Sequence, residues 1–295
     1  MKDLIVDILK IIAPVSVAVI VFCQGLEIAP GEVTAYFKQR AGLMLRSLIA
    51  VLIVAPLVAL AVILAFKPAP AVAVGLAIVA ACPPAPLMLS TASKLGKGSA
   101  AFMASLHLSL ALLAFLTVPA LLFVLSEALS FEAQVNFSTM AWILGRTILI
   151  PILLGIGVRA TFPRFADRIG RVLSRLGMTG VVVVVPFVLV AFFPALLKME
   201  PWSYLVIALT GAATLAVGHL LGPSDPREKT SLAIECGVRH PALAITIAAE
   251  NFGLEKTLPV LAPVVLTLIL VAVIYMVVRG RTLAAPRPER ADAVS

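Results

Sequence analysis

The feature that most constrains this chain is a succession of long apolar stretches that recurs from one end to the other. A helix needs about 20 mostly apolar residues to cross the hydrocarbon layer of a bilayer. Nine stretches of roughly this length follow one another, with approximate bounds at residues 5–26, 42–66, 70–92, 99–125, 139–160, 176–197, 202–222, 231–250 and 259–279. The sequence therefore predicts an all-α polytopic membrane protein in which residues 1–279 form a single transmembrane domain.

The composition excludes most other classes of protein. Hydrophobic residues make up 61% of the 295 residues and charged residues only 13%, about half of the share in soluble domains. Too few residues remain outside nine helices for a second, soluble domain. We therefore predict neither enzyme activity nor a cofactor. Although the net charge is +8, the basic residues are spread over the connections, so no nucleic acid is expected as a partner.

The distribution of positive charge predicts the orientation. Cytoplasmic loops of membrane proteins carry an excess of lysine and arginine. One set of connections and the C-terminal tail hold sixteen of these residues, whereas the N-terminus and the other connections hold five. We predict a protein of the cytoplasmic (inner) membrane with its N-terminus outside and its C-terminus in the cytoplasm. The tail, residues 280–295, is rich in Ala, Pro and Arg and is predicted to be disordered.

Two of the nine predicted helices contain residues that a continuous helix does not accommodate. The third contains Pro83, Pro84 and Pro86, which remove successive N–H donors near mid-depth. The eighth contains Gly237 and Pro241. By the predicted orientation these two helices are antiparallel and occupy corresponding places in the two halves of the chain. Such paired interruptions in inverted repeats mark the substrate site of a secondary transporter.

Seven residues at or near the two breaks are candidates for binding a substrate or ion: Glu235, Arg239, His240, Cys236, Val238, Ser90 and His107. Glu235 and Arg239 are four residues apart, so they face each other if the turn between them is helical. Arg239 is then either a structural partner of Glu235 or a clamp for a substrate carboxylate. His240 and His107 either titrate near neutral pH or serve in packing.

The segment around the second break contains a motif shared with a known family. Residues 233–245 read Ala-Ile-Glu-Cys-Gly-Val-Arg-His-Pro-Ala-Leu-Ala-Ile. They resemble the Glu-x-Gly-x-Gln-Asn motif of the bile acid:sodium symporter family, which small apolar residues follow. Further matches are Gln24-Gly25-Leu26, Pro56, Cys82-Pro83 and Lys97-Gly98. The resemblance implies an inverted-repeat fold with two broken, crossing helices (spans 3 and 8), a separate panel of helices, and an organic anion as substrate.

The resemblance also implies a sodium site, which this chain has altered. In sodium-coupled members the ligands are a carboxylate, amide and hydroxyl side chains, and backbone carbonyls of the crossing helices. Glu235 keeps the carboxylate and is the expected ligand if sodium binds, but Arg239 and His240 replace the amides. Val51 stands where the family has a glutamine. Because Arg239 adds a positive charge, we do not expect sodium coupling and predict facilitated or proton-coupled transport, with no other metal.

These observations predict a secondary transporter of an organic anion, either bile-acid-like or a small carboxylate, that works by alternating access. Its expected partners are this anion and the lipid bilayer, and the oligomeric state stays open. One alternative is an arsenite-type metalloid exporter, which Cys82 in the first break suggests. The other is a membrane sensor or scaffold without transport, which the altered sodium site suggests.

Overall fold

The computed structural model describes residues 2–27, 31–85, 88–131 and 137–284, and this part of the chain is almost entirely helical. Two short π-helical turns, Ala50–Val54 and Gly145–Leu149, each join two α-helices. The α-helices are α1 (Lys2–Glu27), α2 (Glu32–Ile49), α3 (Ala55–Phe66), α4 (Pro70–Ala81), α5 (Met88–Leu95), α6 (Ala100–Leu129), α7 (Phe137–Leu144), α8 (Ile150–Thr161), α9 (Pro163–Lys198), α10 (Pro201–Leu221), α11 (Pro226–Gly237), α12 (Pro241–Phe252) and α13 (Leu254–Ala284).

Several helical stretches have the length and composition of membrane spans. Among the described residues, five are long and apolar enough to cross a bilayer: Lys38–Phe66, Ala100–Leu129, Ala141–Thr161, Pro201–Leu221 and Lys256–Ala284. Two shorter apolar helices are Val15–Glu27 and Pro70–Ala81. The chain is therefore a polytopic membrane protein. The number of nine spans and the inverted repeats stay predictions.

The helices α1, α8 and α9 pack together, and the π-helical turn Gly145–Leu149 joins them to α7. We call these four helices and the turn the panel. Two glycines allow α1 and α8 to touch backbone to backbone. A Cβ atom on Gly25 would lie 2.3 Å from the carbonyl oxygen of Ile152, and one on Gly155 would lie 2.2 Å from that of Phe22. Since closely packed backbones have no room to relax, only glycine fits at either position.

The remaining helices, α2 to α6 and α10 to α13, form the group that we call the core. One close contact within the core joins α10 to α11, where a Cβ atom on Gly218 would lie 2.4 Å from the carbonyl oxygen of Leu232. Buried apolar side chains of α2, α3, α6 and α10 surround this contact, among them Met44, Phe102 and Leu106. This packing fixes the position of α11, which leads into the second break.

Three features of the helices differ from the sequence-based expectation. The sixth span was expected at residues 176–197, but α9 begins at Pro163, because proline is favoured in the first turn of a helix and the arginines that follow are good helix formers. The last helix runs to Ala284, so residues 280–284 are helical and not part of a disordered tail, while residues 285–295 lie outside the described part. The predicted spans 42–66 and 139–160 are each interrupted by a π-helical turn. Each turn directly precedes a helix with proline in its first turn, Pro56 or Pro151.

Candidate functional site

The first break separates α4 from α5. Helix α4 ends at Ala81, and Cys82 is extended, with φ −71° and ψ 150°. Pro83 and Pro84 follow, and neither has an N–H group with which to continue the helix. Pro86 lies outside the described residues. Ser90 lies on α5, but its side chain is likewise outside the part that the structure describes.

The second break separates α11 from α12. Helix α11 ends at Gly237, and Val238 is extended, with φ −109° and ψ 112°. A Cβ atom on Gly237 would lie 2.5 Å from Cγ of Leu215, so glycine is needed here for packing against α10. Helix α12 then begins at Pro241, with the buried His240 as its N-cap.

The two breaks lie side by side and pair as a short antiparallel bridge, with Pro84 opposite Arg239. The N–H of His240 donates to the carbonyl oxygen of Pro83 at 2.8 Å. The N–H of Ala85 donates to the carbonyl oxygen of Val238 at 3.3 Å. These bonds satisfy backbone N–H and C=O groups that the interrupted helices leave unpaired. Such groups need a partner within the protein, because the interior of a bilayer offers no water. We call this bridge the crossing.

The extended backbone at the crossing sends neighbouring side chains in opposite directions, as in a β-strand. His240 lines a space of about 250 Å³ between the panel and the core. We call it the panel-side cavity, and its lining includes Val21, Gln24, Ile148, Pro83, His107 and His240. Arg239 lines a second space of about 280 Å³, the core cavity, together with Ala55, Ala80, Thr210, Thr214 and Cys236.

The imidazole of His240 has one nitrogen committed to the fold. Its Nδ1 accepts a hydrogen bond from the N–H of Leu243 at 3.2 Å, which caps α12. Because Nδ1 accepts, the proton of a neutral ring is assigned to Nε2. Nε2 is buried and has no hydrogen-bond partner among the residues that the structure describes. His240 therefore presents a donor N–H that still needs an acceptor.

His107 and Glu235 form a buried pair. Nδ1 of His107 lies 3.3 Å from each carboxylate oxygen of Glu235. The two side chains are 7% and 2% exposed, so their interaction is shielded from water. The pair joins α6 to α11, and its histidine reaches the panel-side cavity. Sequence reasoning proposed both residues but not their contact, because 128 positions separate them.

The expected pairing of Glu235 with Arg239 is absent among the described contacts. The α-helix ends at Gly237, so the helical turn that would bring the two side chains together does not form. Instead the Arg239 guanidinium donates to the carbonyl oxygens of Cys82 at 3.3 Å and Val51 at 3.0 Å. Arg239 also faces the core cavity, and so it does not clamp a ligand in the panel-side cavity.

Two buried cysteines flank the crossing, and both are free thiols. Cys236 lines the core cavity, whereas Cys82 lines neither of the two cavities that the structure describes. Val238, the other candidate at the second break, contributes its carbonyl oxygen to the bridge and has a buried side chain. Neither cysteine faces the panel-side cavity, so the geometry offers no support for a metalloid ligand there.

A cluster at the start of α11 was missed by sequence reasoning. The hydroxyl of Tyr36 donates to Oε1 of Glu228 at 2.6 Å, and the Arg40 guanidinium forms an ion pair with the same carboxylate. The backbone leaves helical geometry at Arg40, with φ −139° and ψ 43°. Burial and the neighbouring carboxylate raise the pKa of Tyr36 to about 12. The connection before α11 holds two acidic and two basic residues, Asp225, Arg227, Glu228 and Lys229, and this mixed charge indicates no partner on α2.

The residues at the crossing do not fit a sodium ion. Sodium requires several free oxygen ligands, but the carbonyls of Val51 and Cys82 accept hydrogen bonds from Arg239. The Glu235 carboxylate contacts His107 instead. Within the described ranges, no group of three or more His, Cys, Asp or Glu residues is placed to hold a metal ion.

Comparison with known proteins identifies the family of the chain. The profile of the Sodium Bile acid symporter family matches residues 14–198, which is more than half of the chain. The chain belongs to this family. The match includes the first break and ends before the second. Membership in a family of transporters agrees with the apolar helices described above.

One curated protein is similar in sequence to this chain. It is a protein of Oryza sativa subsp. japonica described as "Probable sodium/metabolite cotransporter BASS2, chloroplastic". The two sequences are 25% identical over 206 residues, which is 68% of this chain. The chain spans about half (48%) of the length of that relative.

Proposed function

We propose that this family member is a secondary transporter of a small organic anion in the cytoplasmic membrane. The observation that carries the proposal is the unpartnered Nε2 of His240 in a cavity between panel and core. An N–H donor at this place recognises an acceptor, and a carboxylate is the acceptor that best suits its surroundings. The chain is proposed to cross the membrane nine times, with its C-terminus in the cytoplasm.

Three features of the panel-side cavity favour a carboxylate. His240 caps the N-terminus of α12, where the helix dipole offers partial positive charge. His107 adds a second imidazole to the lining, while Val21 and Ile148 supply apolar surface for the body of the substrate. In the described conformation a water-sized sphere finds only about 10 Å³ of room in this space, about that of one water molecule, so a substrate enters only when panel and core move apart. We propose a small carboxylate, which needs less separation than a steroid acid.

The elements that line the cavity support alternating access. Val21, Gln24 and Ile148 belong to the panel, whereas Pro83, His107 and His240 belong to the core. Movement of one group against the other opens the cavity first to one side of the membrane and then to the other. We propose that the substrate gradient, or protons held by the His107–Glu235 pair, drives this cycle without sodium.

Ligand-induced thermal stabilisation of the purified full chain tests the proposal. A set of small carboxylates is added to wild type, His240→Asn and His240→Asp. Both substitutions keep a side-chain acceptor that caps α12. Only Asn keeps a donor, whereas Asp places a negative charge in the cavity.

We expect at least one carboxylate to raise the Tm of wild type and His240→Asn, and not that of His240→Asp. His219→Asn is the control, because His219 contacts Tyr275 and lines neither described cavity. An undiminished shift in His240→Asp contradicts the proposed site. Binding without any flux into liposomes favours the sensor alternative.

A further inference from the structure

We propose that the guanidinium of Arg239 is a built-in cation of the crossing, which supplies the positive charge that sodium supplies in coupled transporters. The inference rests on the proposed function, since it states why this carrier needs no metal ion. It starts from the contact of Arg239 with two backbone carbonyls, those of Cys82 and Val51.

The surroundings of the guanidinium are those of a cation site. Helices α4 and α11 both end at the crossing, at Ala81 and Gly237, and the C-terminal end of a helix carries partial negative charge. The carbonyl of Val51 belongs to the π-helical turn between α2 and α3. Half-helix ends and carbonyls of unwound backbone are the groups that hold cations in transporters of this kind. The end of α4 and the π-helical turn thus each direct a carbonyl oxygen at the guanidinium.

Arg239 also lines the core cavity. Its side chain is 8% exposed, and among the described residues its guanidinium donates two hydrogen bonds to backbone carbonyls. Thr210 and Thr214 also line this cavity, and each donates its hydroxyl hydrogen to a carbonyl of its own helix, at 2.8 and 2.9 Å. The hydroxyl oxygens are therefore left as acceptors. Apart from Arg239, Thr210, Thr214 and Cys236 the lining of this cavity is apolar, so its hydroxyl acceptors share the space with a cation that is already part of the protein.

A permanent cation at this point excludes a second one. Two unit charges about 4 Å apart, at an effective dielectric constant of about 20, repel strongly enough to weaken binding by roughly 1,000-fold. The carboxylate of Glu235 does not offset this repulsion by pairing with Arg239, because it contacts His107. The guanidinium is part of the protein and cannot cross the membrane. It therefore couples transport to no ion gradient.

The first experiment tests the cation site without any substrate. Removing the side chain in Arg239→Ala leaves the carbonyls of Val51 and Cys82 without their cation. We expect millimolar guanidinium chloride to raise the Tm of this variant, and the same concentration of sodium or choline chloride to raise it less. Wild type should not respond. Arg146→Ala is the matched control, because Arg146 is an exposed arginine on the other π-helical turn.

The second experiment measures carboxylate uptake into proteoliposomes. Arg239→Ala should lose at least tenfold in rate in choline medium, and guanidinium should restore uptake. An inward guanidinium gradient should restore it more than equal guanidinium on both sides, because the free cation can now leave the site. If Arg239 has only a structural role, uptake by Arg239→Ala depends on the presence of guanidinium and not on its gradient. If Arg239→Ala does not fold, Arg239→Lys and Arg239→Gln are compared by uptake in choline medium. Lys keeps the charge and should retain transport, whereas Gln keeps N–H donors without the charge and should lose it, and equal rates in the two variants overturn the role of the charge.

Absence of guanidinium stabilisation in a folded variant overturns the cation site. Rescue that is equal with and without a gradient overturns the role in transport. If wild type moves no organic anion at all, the proposed function fails, while the thermal experiment still decides whether the crossing holds a cation.

Discussion

The contact between α1 and α8 in the panel is sensitive to a single methyl group. In Gly155→Ala the new Cβ atom would lie 2.2 Å from the carbonyl oxygen of Phe22 and 2.8 Å from Cα of Gly25. Both neighbours are backbone atoms, so the two helices must move apart by about 1 Å to reach ordinary contact. Overpacking of this kind costs about 1–3 kcal/mol. The higher helix propensity of alanine offsets up to about 1 kcal/mol of that cost.

The matched control is Gly157→Ala on the same helix. A Cβ atom there would meet nothing within 4 Å, so only the gain in helix propensity remains. Thermal unfolding of the two purified variants in detergent should therefore shift Tm in opposite directions, down for Gly155→Ala and up or not at all for Gly157→Ala. If Gly155→Ala unfolds at the temperature of Gly157→Ala or above it, the backbone contact in the panel is wrong.

Two further predictions concern the crossing and the cluster at the start of α11. Gly237→Ala should abolish carboxylate binding, because its Cβ atom would lie 2.5 Å from Cγ of Leu215, and adding Leu215→Ala should restore binding in the double variant. The raised pKa of Tyr36, about 12, means that its phenol stabilises the fold below its usual pKa of 10 and that this contribution is lost as pH rises toward 12. Tyr36→Phe should therefore lose less stability than wild type in unfolding experiments between pH 9 and about 12.

The interruptions of the third and eighth spans follow from local chemistry. Pro83 and Pro84 lack N–H donors, and Gly237 with Pro241 weakens a helix in any surroundings. These residues predict where the backbone opens, and the structure has its helix ends there. Their pairing depends on contacts between segments that are more than 150 positions apart, such as Ala85 with Val238. No local pattern carries that information.

The roles of the polar residues were harder to predict for the same reason. The spacing of Glu235 and Arg239 indicated an ion pair only because a helical turn was assumed between them. Once the helix ends at Gly237, extended backbone sends Arg239 toward the core cavity and His240 toward the panel. The partner of Glu235 is then His107, which lies on another helix. Site residues could be proposed from the sequence, but the direction of each side chain could not.

Several contacts at the site could not be predicted from the sequence. Gln24 was noted for its match to the family, yet nothing placed it in a cavity beside His240. The π-helical turns precede Pro56 and Pro151, but a proline in an apolar helix more often marks a simple kink. The turn at Ala50–Val54 nevertheless provides the carbonyl of Val51 that holds Arg239.

Uptake into proteoliposomes tests the central claim most directly. Wild-type protein is reconstituted with an unlabelled small carboxylate inside, and exchange against the labelled compound outside is followed in sodium medium and in choline medium. The account predicts exchange at the same rate in both media, with His240→Asp inactive. Exchange that occurs only in sodium medium, or that survives in His240→Asp, would contradict it.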